Sequence, residues 1–304
     1  MPRVRVPATS ANLGPGYDSF GLALALYNEF TAEPAREWSV SVEGEGAGEL
    51  REDAGNQVVT AMRHAFAEAG VVTAARVRCV NAIPVGRGLG SSSAAVVGGL
   101  LLGNAIAGGG LTPPRLLELA TEIEGHPDNA AAALLGGFVV SWADGVQRAV
   151  RIDPSGGVAA VIAVGDTALP TATARAVLPA DVPHADAAFN AGRAALLAVG
   201  LATGDATLVR PGMEDRIHER FRAAVIGDLA EVRAALVDAG AEGAVLSGAG
   251  PSVVGIVLDA DDELALARAR GVAERARGAL AGTRGRSRVL AAAIDRTGAR
   301  VTDS

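Results

Sequence analysis

Lysine is missing from this chain of 304 residues, whose 27 basic residues are all arginine. That absence removes three mechanisms: the Walker-A phosphate lysine, the protein-kinase strand lysine and the Schiff-base lysine of pyridoxal enzymes. Cysteine occurs once. Cys79 sits in the alternating run Ala75 to Val80 and reads as a core thiol, so neither an intrachain disulfide nor a cysteine zinc cluster can form. Aromatic residues make up only 3% of the chain while glycine occurs 39 times, which describes a core of small and aliphatic side chains with many tight turns. Positive charge is in deficit, 27 basic against 34 acidic residues for a net charge of −7. No general basic field exists to attract nucleic acid or an anionic membrane, and any anion must be held locally.

An apolar leader is lacking too: Met1 to Gly16 carries Arg, Pro and Gly without the block a secretory signal requires, which predicts a cytoplasmic protein. From Gly88 to Pro114 no residue is charged, a pattern that hydropathy alone would read as a membrane span. Ser91, Ser92, Ser93, Gly98, Gly99, Gly103, Asn104 and Gly108–Gly110 interrupt it, and the segment reads instead as a helix buried in a domain. Arg3 to Val6, Trp38 to Val42 and Val77 to Ile83 alternate as strands, and Asn56 to Ala69 has helical spacing. Thr112 and Pro113 open a further helix that Gly125 stops, and Phe138 to Trp142 looks like a strand. Asp153-Pro154-Ser155-Gly156-Gly157 is the clearest break, dividing the chain into domains at 1–154 and 155–304. Beyond it, strands at 158–164, 244–246, 253–258 and 288–294 interleave with helices at 185–199, 228–239 and 262–280.

Four segments carry chemistry. Pro84-Val85-Gly86-Arg87-Gly88-Leu89-Gly90-Ser91-Ser92-Ser93-Ala94 follows a strand and opens a helix. Glycines let the backbone wrap an anion, serines supply hydroxyl donors, and the helix adds unpaired N–H groups at the positive end of its dipole, so this is a phosphate cradle. Its spacing fits neither a dinucleotide fingerprint nor a Walker A. The others are Pro7-Ala8-Thr9-Ser10-Ala11-Asn12-Leu13-Gly14-Pro15-Gly16-Tyr17-Asp18, Gly125-His126-Pro127-Asp128-Asn129 and Leu246-Ser247-Gly248-Ala249-Gly250-Pro251-Ser252. Taken singly, these read as a polar turn, a helix stop with an Asx cap, and a tight hairpin.

In this order and at these separations the four segments resemble the GHMP small-molecule kinases, and the resemblance spans nearly the whole chain. The glycine–serine loop and SGAGPS are shared broadly in that family, whereas PATSANLGPG and GHPDN resemble its homoserine-phosphorylating branch. The resemblance implies an α+β, two-domain fold, with a ribosomal protein S5 domain 2-like amino-terminal domain that binds ATP and a ferredoxin-like carboxyl-terminal domain. It also implies Mg²⁺, a homodimer, and conversion of L-homoserine to O-phospho-L-homoserine on the way to threonine. Residue by residue, it places Pro84 to Ala94 and Asn56 at the nucleotide, and Glu118 at the metal with a serine of the loop, taken as Ser92. Asn12, Asp18, His126, Asp128 and Asn129 line the ammonium and hydroxyl end of the acceptor. Thr171, Arg175 and Arg222 bind its carboxylate.

This chain has Tyr17 where the family commonly has Phe, and Arg220 where Pro is common. Related kinases use a lysine and an aspartate beside the hydroxyl, but the resembling positions here are Asn12 and Asn129, amides that cannot act as a general base. Asn129, Asn12 and Asp128 are therefore expected to catalyse by positioning, without a dedicated protein base. On residues alone, Glu118 and Glu122 also have a plainer reading: one turn apart on a helix, they form a solvated face.

Overall fold

The computed structural model describes residues 1–281 and 288–303. The chain opens with β1 (Pro2–Ala11), β2 (Phe20–Ala35) and β3 (Ser39–Gly44), followed by α1 (Gln57–Glu68) and β4 (Ala74–Asn81). Three helices come next, α2 (Ser91–Ile106), α3 (Pro113–Glu124) and α4 (Asp128–Leu135), and then the hairpin of β5 (Phe138–Asp144) and β6 (Val146–Ile152). A second group begins with β7 (Val158–Val164) and continues through α5 (Thr171–Ala176), α6 (His184–Thr203), α7 (Ala206–Gly212), α8 (Glu219–Ile226) and α9 (Leu229–Asp238). The chain ends with β8 (Gly243–Leu246), β9 (Val253–Leu258), α10 (Asp262–Ala279), β10 (Arg288–Ala293) and β11 (Arg300–Asp303).

The strands form two sheets. One runs β11-β1-β2-β4-β3, with β5 added to β2 and β6 to β5; only the β3–β4 pair is parallel. The other is antiparallel in the order β10-β7-β9-β8. The turn at 153–157 lies between β6 and β7, but β11 crosses back to β1, so the sheets do not divide the chain into two uninterrupted halves. Alternation along β7 explains how the layers join. Val158, Ala160, Ile162 and Val164 face a core shared with β1, β2 and α2, while Ala159, Val161 and Ala163 face α9 and α10.

Residues 20–35 carried no strand expectation, yet β2 is the central strand, pairing with β1, β4 and β5 along its length. Its Leu- and Ala-rich start resembles a helix locally, and a register shift opposite Pro7/Ala8 breaks the period of two. Burial of Leu22 and Leu24 decides the matter, at roughly 1.5–3 kcal/mol per fully buried leucine. The charge-free segment is indeed a buried helix: a Cβ at Gly99 would lie 2.3 Å from the Val58 carbonyl oxygen, so its glycines let α2 lie against α1. Among the described residues no helix is long and apolar enough to cross a membrane.

Candidate active site

The end of β1, the start of α2, the start of α4, α5, α8 and the β8–β9 turn converge on one cavity of about 710 Å³. Gly86, Gly88 and Gly90 form one wall with φ of 67°, 75° and 70°. A Cβ on Gly90 would stand 1.9 Å from Thr9 Oγ1, and one on Gly88 would stand 2.3 Å from the Ser247 carbonyl oxygen. The loop is therefore pinched between β1 and the β8–β9 turn, and only glycine fits. Gly90 offers α2 no side-chain cap, which leaves the first N–H groups of the helix available to an anion.

Not every loop residue reaches that wall. Leu89 and Ala94 are wholly buried in the core, Pro84 and Arg87 line a separate hollow, and Val85 borders both that hollow and the one next to the cavity. Arg87 donates to the carbonyls of Val85 (3.0 Å) and Asp166 (2.7 Å). Gly86, Gly88, Gly90, Ser91, Ser92 and Ser93 are the ones that line the cavity. Next to them a hollow of about 390 Å³, walled partly by Phe30, Leu50 and Val58, shares Gln57, Gly86, Ser91 and Ser92 with the cavity. Asn56 borders this hollow as the cap of α1, accepting from Val58 N–H at 2.9 Å and donating to the Arg51 carbonyl at 2.6 Å.

Glu118, expected at the metal, does not line the cavity. Glu118 pairs with Arg115 at 2.8 Å, and Arg115 also holds Glu68 and Glu122; this is the solvated network. Six residues further along α3, at about 100° per residue, the helix presents a different face, and there Glu124 receives hydrogen bonds from Ser92 Oγ (2.7 Å), Ser93 Oγ (2.6 Å) and Gln57 Nε2 (2.9 Å). The carboxylate beside the loop serines is Glu124.

The opposite wall is built from side chains. Asp128 Oδ1 accepts from Asn129 N–H at 2.7 Å and meets His126 Nδ1 at 3.1 Å; that bond raises the His126 pKa above its ordinary value. Asn129 Oδ1 accepts from Thr9 Oγ1 at 2.7 Å. Asn12 has φ of 68°, accepts from Asp18 N–H and donates to the Gly248 carbonyl, both at 2.9 Å. Asp18 pairs with Arg175 at 2.7 Å, and Tyr17 Oη accepts from the same guanidinium at 2.9 Å. Thr171 opens α5 on the cavity wall.

Arg222 completes this wall and is only 2% exposed. Its Nε donates to the Ala174 carbonyl at 3.2 Å and its Nη1 to the Gly248 carbonyl at 3.0 Å. Burial pulls its pKa down, yet among the described residues it has no carboxylate in ion-pair range. Arg220, two residues before it, is exposed and pairs with Asp186, so the departure from Pro leaves Arg222 in place.

The amino-acid sequence matches the model of the GHMP kinases N terminal domain over residues 56–137 and that of the GHMP kinases C terminal domain over residues 197–273. It is 47% identical to a homoserine kinase of Streptomyces coelicolor over 85% of both chains, and 45% identical to one of Moorella thermoacetica over 84% of this chain and 86% of the relative. The chain belongs to the homoserine kinase family of GHMP kinases. The crystal structure of homoserine kinase from Cytophaga hutchinsonii superposes with a TM-score of 0.87 at 27% identity, covering 99% of this chain and 96% of that one. Mevalonate kinase shares the fold, with a TM-score of 0.67 at 12% identity.

Sequence motifs did not single out three residues at this site: Gln57 and Glu124 line the cavity, and Thr9 is buried behind its wall. Thr9, in the amino-terminal segment, joins β1, the loop and Asn129. Glu124 stands directly before Gly125-His126, and its place at the last residue of α3 was the available signal. Gln57 follows the cap residue Asn56 and reaches both Ser92 and Glu124.

Proposed function

We propose that the chain transfers the γ-phosphoryl group of ATP to the side-chain hydroxyl of L-homoserine, giving O-phospho-L-homoserine and ADP. Arg222 carries this reading. A buried guanidinium without a carboxylate partner is costly to maintain, and a cavity wall holding it beside Arg175 suits an acceptor that brings its own carboxylate. Asp18 offers the complementary charge for an ammonium group. A sugar alcohol would leave Arg222 unanswered, and mevalonate, which has a carboxylate, would bring no ammonium group to Asp18.

The glycine–serine wall and the α2 N-terminus suit the phosphates of ATP, and the adjoining hollow suits its base. Glu124 with the Ser92 and Ser93 hydroxyls is a hard-oxygen set that would hold Mg²⁺. Bound there, the ion would neutralise charge on the transferring phosphoryl group. The acceptor oxygen bonds to the γ-phosphorus as the bond to ADP breaks, and the hydroxyl proton leaves to a phosphate oxygen or water. Asn12 and Asn129 cannot take that proton. Asp128 Oδ1 accepts from Asn129 and meets His126, which fixes the three side chains together at the acceptor end.

The test is a coupled ADP-release assay with Mg·ATP against L-homoserine, mevalonate, galactose and no acceptor. Turnover with homoserine alone is the expected result. ATP binding with silence toward every acceptor would replace the reading with a nucleotide sensor, and turnover with mevalonate or galactose would move it to another branch of the family.

A further inference from the structure

We propose that His218 is a positioning residue for the acceptor carboxylate, locking Arg222 to the loop that presents Asp18; this rests on the homoserine reading above. The imidazole is 0% exposed and does not line the cavity, so it acts only through what it holds. Its Nε2 lies 2.7 Å from the Gly14 carbonyl oxygen. A carbonyl only accepts, so Nε2 carries the hydrogen and Nδ1 presents a lone pair. That lone pair faces Arg222 Nη1 at 3.1 Å, and a guanidinium only donates. One neutral tautomer satisfies both contacts, and a protonated ring satisfies only one.

The two partners matter because each belongs to the acceptor site. Arg222 is fixed by carbonyls from α5 and from the β8–β9 turn as well as by His218, three directions that set the plane of its fork. Gly14 lies in the loop where Asn12, Leu13 and Asp18 take φ of 68°, 49° and 55°, the three left-handed non-glycine residues among the described residues. Such a loop stays in place only where its surroundings over-determine it, and His218 supplies one of those restraints. The backbone that carries the ring is itself anchored: Asp215 Oδ2 accepts from the backbone N–H of His218 at 2.9 Å and of Glu219 at 2.8 Å, and Asp215 Oδ1 lies 3.8 Å from Nε2. Glu219 in turn accepts from Leu246 N–H at 2.6 Å and pairs with Arg233 at 2.8 Å, tying α8 to the strand that leads into Gly248. Burial pushes the His218 pKa down to about 4, in keeping with the neutral form.

Three variants separate this role from simple packing. His218→Phe keeps the ring and removes both polar contacts; His218→Asn keeps an acceptor near the Nδ1 position; His218→Gln keeps a donor near the Nε2 position. Steady-state kinetics varying each substrate should show the homoserine KM raised about tenfold or more in the Phe and Gln variants, the scale of one charge-assisted hydrogen bond. The ATP KM should stay within about twofold, and the Asn variant should recover most of the loss. Homoserine and ATP KM rising together, or a homoserine KM unmoved by His218→Phe, would overturn the proposal. If the Phe variant fails to fold in a thermal melt, the Asn and Gln variants decide, and equal behaviour of the two also overturns it. A wild type that binds ATP but does not phosphorylate homoserine overturns the acceptor reading itself, and shows this before any variant is made.

Discussion

The two walls of the cavity are built on opposite plans. The phosphate wall is backbone: three left-handed glycines, an uncapped helix and two serines, contiguous from residue 86 to residue 93. The acceptor wall is side chain: Asn12, Asp18, Asp128, Arg175 and Arg222 arrive from four segments and are held by bonds among themselves, to Asn129 and to the Gly248 carbonyl. A backbone cradle suits a ligand whose charge is common to many substrates, whereas a wall of braced side chains can be retuned for one acceptor. If this division is right, substitutions on the two walls should move different kinetic constants.

The largest effect should come from Glu124→Gln, with kcat falling on the order of 10²–10³-fold through loss of charge at the phosphate side. Glu118→Gln should leave kcat within about twofold. Steady-state assays of the two variants at several Mg²⁺ concentrations make the check, and equal losses would restore Glu118 as the metal carboxylate. Next, Arg222→Met should lower kcat/KM for homoserine by about 10²-fold with the ATP KM nearly unchanged. Asn129→Ala should lower kcat by about tenfold without abolishing it, because the amide positions and takes no proton. A pH–rate profile with one essential side-chain base would contradict that prediction.

A smaller effect concerns stability. The His218 pKa is depressed from 6.5 to about 4 by burial, with Asp215 opposing and Arg222 reinforcing the shift. As pH falls from 6.5 toward 4, the unfolded chain therefore binds a proton that the folded chain refuses, and stability is lost. Denaturant unfolding at pH 6.5 and at pH 4 should show the wild type losing on the order of 2–3 kcal/mol more than His218→Asn. Other titrating groups, Glu219 and His126 among them, act in both proteins and drop out of that difference. A wild type and variant with parallel pH dependence would contradict the buried neutral imidazole. Smallest of all, Glu122→Gln in the Arg115 network should change unfolding free energy by less than about 1 kcal/mol, because the pairs are exposed.

The same contrast explains what could be read from the sequence. The phosphate wall was legible because glycines and serines at fixed spacing between a strand and a helix determine its backbone locally. Helix limits were legible for similar reasons: Thr112 accepts from Arg115 N–H and Gly125 takes φ of 80°. By contrast, nothing local distinguishes Arg222 from the exposed Arg220, and the family resemblance rather than periodicity pointed to it. That Glu124 rather than Glu118 meets the loop serines was not legible, because spacing to His126 says nothing about which face of α3 meets the loop; packing of α3 against α2 decides that. The strand β2 was missed because its burial depends on partners on both sides.

The most direct test of the two-wall account compares L-homoserine with 3-aminopropan-1-ol, the same hydroxyl and amine without the carboxylate, on the wild type and on Arg222→Met. The account predicts that the wild type prefers homoserine by about 10²-fold or more in kcat/KM, that Arg222→Met loses most of that preference, and that both proteins keep the same ATP KM. An Arg222→Met enzyme that still prefers homoserine as strongly as the wild type would contradict it.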